Sequence, residues 1–504
     1  MGSASPWNSP LTVGDMFSYF PEFVTRATTR ITTIAAIFVL CGTGGYLSAR
    51  PAQLGDDIFL LDTITLTIPQ VDYEPAVYYR EGDPYPHVDF QQVDQERIIK
   101  KDHTAVVMEN RYIRLILLPE MGRVYSFVYK PTGHETLWRN DVVTVGGAAN
   151  DTGWWLWIGG IEYTLPGDEH GTTWAMPWSW EITEDSSLRK SIRMQVLEPK
   201  TGLQESVDVS IVRNKSSFET RICITNTTNR QVEYAHWTNP QWVPGGQNVL
   251  TDRTEFIIPT DQILINKQWQ ENLGSSPQVW HNNPLRFISG WSKMGDLMAD
   301  GLTGGFYSAY SHDTQEGIVR VFDSNKTPGV DVWTYGYHQA RIPMSSKEPS
   351  AGYVEMWGGT SRTYPNERQI LAPDAFIEWT ELMYPYQQTR GLTFADEDVA
   401  ISFRIVLDAN RVIIGLCPVS DWQESLELLT GSEAGREPLR RWDVTASPET
   451  PFFVTTSLDG LTESELDELR LRVGSERNGW KIIEVEKWVP LPNLKNNVSV
   501  SGCC

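Results

Sequence analysis

The sequence predicts a mainly β chain with a smaller mixed α/β region at its C-terminal end, and three observations predict it. Apolar residues recur at every second position in several segments, long amphipathic helix signals are missing through the middle, and helix-start signals appear only late. Val207, Val209 and Ile211 alternate with Ser206, Asp208 and Ser210; Phe218, Thr220, Ile222 and Ile224 alternate with Glu219, Arg221 and Cys223. Each stretch therefore offers one dry face, and the polar residues Arg213 to Ser216 between them suit a hairpin turn. Ile401, Phe403, Ile405 and Leu407 repeat the pattern. Ser420 with Gln423, and Thr462 with Glu465, read as capping boxes, the second ahead of Leu466, Leu469 and Val473. The expected division is a terminal segment over residues 1–50, a linker over 51–74, a β domain over 75–410 and an accessory mixed α/β region over 411–504.

Composition narrows the function. With 42 Lys and Arg against 64 Asp and Glu, the chain carries a formal charge of -22, which repels phosphate backbones and argues against nucleic acid as a partner. The 20 Trp, 19 Tyr and 17 Phe supply rings that either fill a sheet core or form platforms beneath sugars. Five cysteines show no CxxC spacing, and no HExxH, GxGxxG or Walker A pattern occurs, so no metal and no cofactor is expected. Oligomeric state is not legible.

Arg26 and Arg30 precede an uncharged run from Ile31 to Ala49, which reads as an export signal or a membrane anchor. The expected location is therefore extracellular or membrane-attached, with a buried terminal helix of a cytoplasmic protein as the alternative.

Chemistry-bearing residues fall in three clusters. Trp154 to Trp180 holds six tryptophans beside Glu162, Asp168, Glu169 and His170, with glycines that allow close turns. Tyr234 to Trp242 holds His236, Trp237, Asn239 and Gln241; its His could transfer protons and its amides could orient hydroxyls. The third holds Asp331, Trp333, Tyr335 and His338, then Tyr353, Glu355 and Trp357, which alternation places on one strand face. Glu162, His236, Asp331 and Glu355 are the catalytic candidates. Trp154, Trp157, Glu169, His170, Trp237, Asn239, Trp333, Tyr335, His338 and Trp357 are the substrate-binding candidates. Each has a plain alternative, as packed aromatic or solvated charge.

Five ordered pieces, Glu109 to Trp138, Gly159 to Gly171, Ala235 to Pro240, Pro328 to Gly336 and Tyr353 to Gly359, together resemble an uncharacterised group within the galactose-mutarotase-like superfamily over roughly residues 75–410. The resemblance implies a large antiparallel supersandwich with a concave sugar-binding face. It implies a His and a Glu as acid and base of ring opening, matched here to His236 and Glu355. The local motifs depart from those of the well-studied epimerases.

Three readings follow. The first is a glycoside hydrolase-like enzyme acting on an oligosaccharide or polysaccharide, with Glu162 and Glu355 as its carboxylate pair. The second is a non-catalytic carbohydrate-binding or cell-surface protein. The third is an aldose epimerase-like enzyme using His236 and Glu355. A lyase reading would draw on Arg114, Arg123 and Arg320, but no basic subsite is evident.

Overall fold

The structure, a computed structural model, describes residues 58–488 apart from 168, 342–349, 365–366, 407–409, 432–436, 476–478 and 485. The Ile31 to Ala49 run and Asp168 lie outside the described residues. Among the described residues no helix is long and apolar enough to cross a membrane.

Two sheets, one of fourteen strands and one of eight, form the large unit. The hairpin read from the sequence is present: Leu203–Val212 pairs antiparallel with Phe218–Asn226, with Ile211 opposite Phe218 and Val207 opposite Ile222. Its apolar face joins the core between the sheets, where Val207, Val209, Ile222 and Ile224 are fully buried. The fourteen-stranded sheet answers with Ile161, Tyr163, Trp242, Leu297, Val330, Val332, Val354 and Met356. Those residues fix the parity of their strands. Because side chains alternate, the residues between them must lie on the opposite face of that sheet.

The floor of that opposite face is a run of adjacent strands: Gly295–Ala299, Gly329–Thr334, Val354–Gly359, Trp237–Trp242 and Ile161–Thr164, in that spatial order. All four junctions are antiparallel. The chain enters Ile161–Thr164 through Gly159 and Gly160, at φ 103° and 85°. A Cβ there would come within 2.3 Å of the Trp138 and Val124 carbonyl oxygens, so the turn requires glycine at both places.

The C-terminal region is a second, smaller pair of sheets, of five and four strands, with its own core of Ile401, Phe403, Ile414, Leu416, Leu426, Leu471 and Val473. Strand Val399–Val406, which alternation alone assigned to the large unit, pairs with Arg411–Pro418 and faces this core. Of the two helix starts expected here, one forms. Thr462 and Glu465 cap Glu463–Asp467 reciprocally. The other is a correction, because residues after Ser420 form the strand Trp422–Thr430 between two partners. Cross-strand pairing outweighs a local cap, and among the described residues the region is mixed to the extent of that one short helix.

The two units meet at a buried ionic seam. Glu255, on edge strand Thr254–Ile257, accepts from Arg404 at 3.1 and 3.2 Å, from Arg286 at 2.8 Å, and lies 2.8 Å from His312 Nε2. Glu486 closes the network, accepting from Arg404 at 2.7 Å and from Arg286 at 2.8 Å.

Candidate functional site

Register places the acidic candidates together. Glu162 lies opposite Asn239, Glu355 opposite both Gln241 and Trp333, Asp331 opposite Trp357, and Asp296 opposite Trp333. All are on the face turned away from the inter-sheet core. Trp237 shares it, its ring covering Gly329 and Gly359, where a Cβ would approach to 2.6 and 2.3 Å. Glu162, Asp331 and Glu355 are only 3–4% exposed.

His170 reaches the same cluster from the loop after Thr164. Its φ of 58° is unusual for a residue with a side chain. The loop is held by Thr172 donating to Leu165 O at 2.8 Å, by Asn150 donating to Glu169 O at 2.9 Å, and by Glu169 accepting from Ala149 N at 2.6 Å. The His170 ring stacks on Trp155, centroids 4.1 Å apart, and its Nδ1 lies 3.4 Å from Glu162. Arg123 approaches the same Glu162 oxygen at 3.3 Å and donates to Gly159 O at 2.8 Å.

The carboxyls differ in proton affinity. Burial alone would push Glu162 up, but Arg123 and His170 outweigh it and hold the carboxyl below its usual range. Glu355 goes the other way: burial raises it despite His170 and despite bonds at 2.9 Å from Gln241 Nε2 and Trp357 Nε1. His170 is raised, because Glu162 more than offsets the burial that would lower it. Burial pushes Asp296 up to about 7, with the Trp269 indole opposing and the charge of Glu169 adding. Asp331 stands well above the carboxylate range through burial and the nearness of Asp296 and Glu355.

Many buried polar atoms on this face lack a hydrogen-bond partner in the protein: Glu162 Oε1, Arg123 Nε, both Asn239 amide atoms, Gln241 Oε1, Trp237 Nε1, and Oδ1 of Asp296 and Asp331. Buried polar groups are almost always paired, so this concentration marks a surface shaped for a polar ligand. Among the described residues no group of His, Cys, Asp and Glu suits a metal ion.

The other candidates are placed as follows. Trp157, Trp333, Tyr335 and Tyr353 form one aromatic wall, with Trp157 Nε1 donating to Tyr353 at 3.0 Å. Trp357 packs near His170, ring centroids 5.6 Å apart. Three candidates are not brought to the cluster. His236 is one residue out of phase with Trp237, Asn239 and Gln241, so it faces between the sheets, where it is fully buried and bonds Glu205 at 2.8 Å. Trp154 is likewise out of phase with Trp155 and Trp157; its indole donates to Pro86 O at 2.8 Å in a separate apolar cluster. His338 is exposed on a loop, 3.9 Å from Asp252. Glu381 and Arg320 pair between the sheets, and Glu378 pairs with Arg221 on the surface. Asp296, Trp155 and Trp138 belong to the site's surroundings yet were not singled out. Alternation within Trp154 to Trp157 carried the signal for Trp155; Asp296 had no aromatic or glycine-rich neighbourhood to draw attention.

Solved structures with a similar fold include a TPR-domain containing protein from Parabacteroides distasonis, at 19% identity and a TM-score of 0.53, covering 64% of this chain and 55% of that one. This chain thus spans little more than half of that protein's length. The Slr1438 protein from Synechocystis matches at 13% identity and a TM-score of 0.43, over 56% of this chain and 95% of its own. A galactose mutarotase-like protein from Clostridium acetobutylicum matches at 9% and 0.42, over 57% and 96%. Residues 81–386 take in the whole floor and the His170 loop, and across them this chain belongs to the family described as domain of unknown function DUF5107.

Proposed function

We propose that the protein is a carbohydrate-active enzyme performing acid–base chemistry at the anomeric centre of a sugar seated on the Glu162–His170–Glu355 face. The observation that carries the reading is the set of unpartnered buried donors and acceptors on that face, walled by tryptophan and tyrosine. A sugar ring offers the matching pattern, hydroxyls around its rim and C–H groups on its faces. The motif-level resemblance to galactose-mutarotase-like proteins supports the same ligand class.

Glycoside hydrolysis is the leading reaction. Glu355, raised, is the acid that protonates the leaving oxygen; Glu162, held ionised, is the base that activates water. Their strands are separated by one intervening strand and their registers by two residues, so strand spacings put the Cα atoms about 12 Å apart. Side chains converging from that separation favour the roughly 6.5–9.5 Å gap of an inverting mechanism over the closer retaining pair. The deep burial of both carboxyls favours a terminal sugar unit entering end-on.

One observation favours a second reading. His170 is raised and lies against Glu162, so it can serve as the acid of a ring-opening reaction, with a carboxylate as base, in the role that the sequence assigned to His236. Incubating the purified protein with neutral and amino oligosaccharides and with free aldoses, while following reducing ends and anomeric ratio separately, tests both. New reducing ends of inverted configuration support hydrolysis; faster equilibration of free anomers without cleavage supports mutarotation. Binding without either product leaves a carbohydrate-binding protein. We also propose that the Ile31 to Ala49 run directs the chain to the membrane or beyond it; a cytoplasmic chain of intact mass would refute this.

A further inference from the structure

One end of this face has a different character from the other. Arg123 and His170 stand beside Glu162, whereas Asp296, Asp331 and Glu355 occupy three successive strands at the other end. By register each is a diagonal neighbour of the next, about 7–8 Å apart at the backbone. All three are at least nine-tenths buried. Two donors near them, Gln241 Nε2 and Trp357 Nε1, are already spent on Glu355, and Trp269 offers Asp296 no well-formed bond. The unpartnered atoms of these residues are Asp296 Oδ1, Asp331 Oδ1 and, from a neutral side chain that is 1% exposed, Gln241 Oε1, all oxygens, with the open indole N–H of Trp269 beside them. Trp333 lies opposite both Asp296 and Glu355, half-buried, edge-on to Tyr335 at 4.7 Å.

We infer that this end of the face receives a positively charged amine, so that the substrate is an amino sugar with a free ammonium group rather than a neutral or acetylated one. The inference rests on the carbohydrate reading and specifies its substrate class. An ammonium group has three donors and no acceptor, which complements the three open oxygens of Asp296, Asp331 and Gln241. Aromatic rings beside carboxylates add attraction for the same charge. A hydroxyl would supply one donor and leave the remaining oxygens bare, while an N-acetyl group would bring a carbonyl oxygen against them. Binding an ammonium shifts the buried carboxyls toward their ionised form, and the protons they give up pass to the buffer.

The test uses the full chain and titration calorimetry with glucosamine, N-acetylglucosamine and glucose, and the galacto forms of each, in phosphate and in Tris at one pH. The amine should bind at least about tenfold more tightly than its acetylated and neutral counterparts, as charge-assisted bonds are roughly twice as strong as neutral ones. Its apparent enthalpy should differ between the buffers by the heat of the released protons. Asp331→Asn and Asp296→Asn should each shrink the preference for the amine over glucose. Equal affinities for the three sugars, or a preference for the amine with no buffer dependence, would overturn the amine assignment and leave the carbohydrate reading standing. No binding of any sugar would sink both. The buffer comparison needs only the unsubstituted protein, so a variant that fails to fold does not decide the outcome.

Discussion

His170 lies flat on Trp155, ring planes 5° apart and centroids 4.1 Å apart, and this stacking turns its Nδ1 toward Glu162. The backbone at His170 is in the left-handed region, so the loop alone does not favour this placement. Trp155 is therefore a positioning residue. Trp155→Leu should lower kcat roughly ten- to a hundredfold by letting the imidazole drift. It should also move the pH limb that belongs to His170, which a purely structural loss of packing would not. Unchanged pH dependence beside a lower rate would remove Trp155 from this role.

Turnover should follow a bell in pH. Activity rises as pH climbs through the depressed value of Glu162, which must be ionised, and falls as pH climbs through the raised value of the acid. Glu355→Gln should cost about 10²- to 10⁴-fold in kcat with little change in sugar binding. If His170 is the acid, that variant keeps most of its rate and His170→Gln loses it instead. Rate profiles of the two variants side by side decide between the readings.

His236 should matter for stability and not for turnover. Its Nε2 meets Glu205 with both side chains sealed between the sheets. His236→Gln removes the imidazole that Glu205 meets and leaves a buried polar group poorly paired, a loss of about 1–3 kcal/mol. Denaturant unfolding should show that drop, while kcat per folded molecule stays within about twofold, since the side chain lies beyond the reach of a sugar on the other face. A selective loss of kcat would return His236 to the mechanism.

Asp296 gives stability a pH slope. Burial pushes its folded-state value up to about 7 from the ordinary aspartate value of 3.8. Between these values the folded chain holds a proton that the unfolded chain has lost, so stability contributed here falls as pH rises from about 4 to 7 and levels off above. Asp296→Asn should flatten that slope and raise the melting temperature at pH 8 by several degrees relative to the unsubstituted protein. Melting curves across this range check it; an unchanged slope would show that Asp296 titrates elsewhere.

Much of this was legible in the sequence because alternation is a local signal. Period two gave the Val207 and Phe218 hairpin and placed Glu355 with Trp357. It could not say which face of a strand meets the core, since Trp237 and His236 are equally plausible inward residues until the second sheet is in place. The resemblance points to His236 as the acid, and only the second sheet shows that this side chain faces the core while His170 faces the site. Glu255 was invisible for another reason: its partners Arg286, Arg404 and Glu486 are scattered along the chain, and only folding brings them together.

The seam around Glu255 also bears on how the chain can be divided. The two small sheets share a core of their own, so the C-terminal unit looks detachable. Yet a chain cut before Val399 keeps Glu255 at the edge of the larger unit without Arg404, and loses Glu486 from beside Arg286. Arg286 and His312 would then be left to hold a carboxylate newly opened to water. Shortened versions of this protein should clump or be trimmed by proteases at that edge, so the two units are better handled as one piece than as a body with a removable tail.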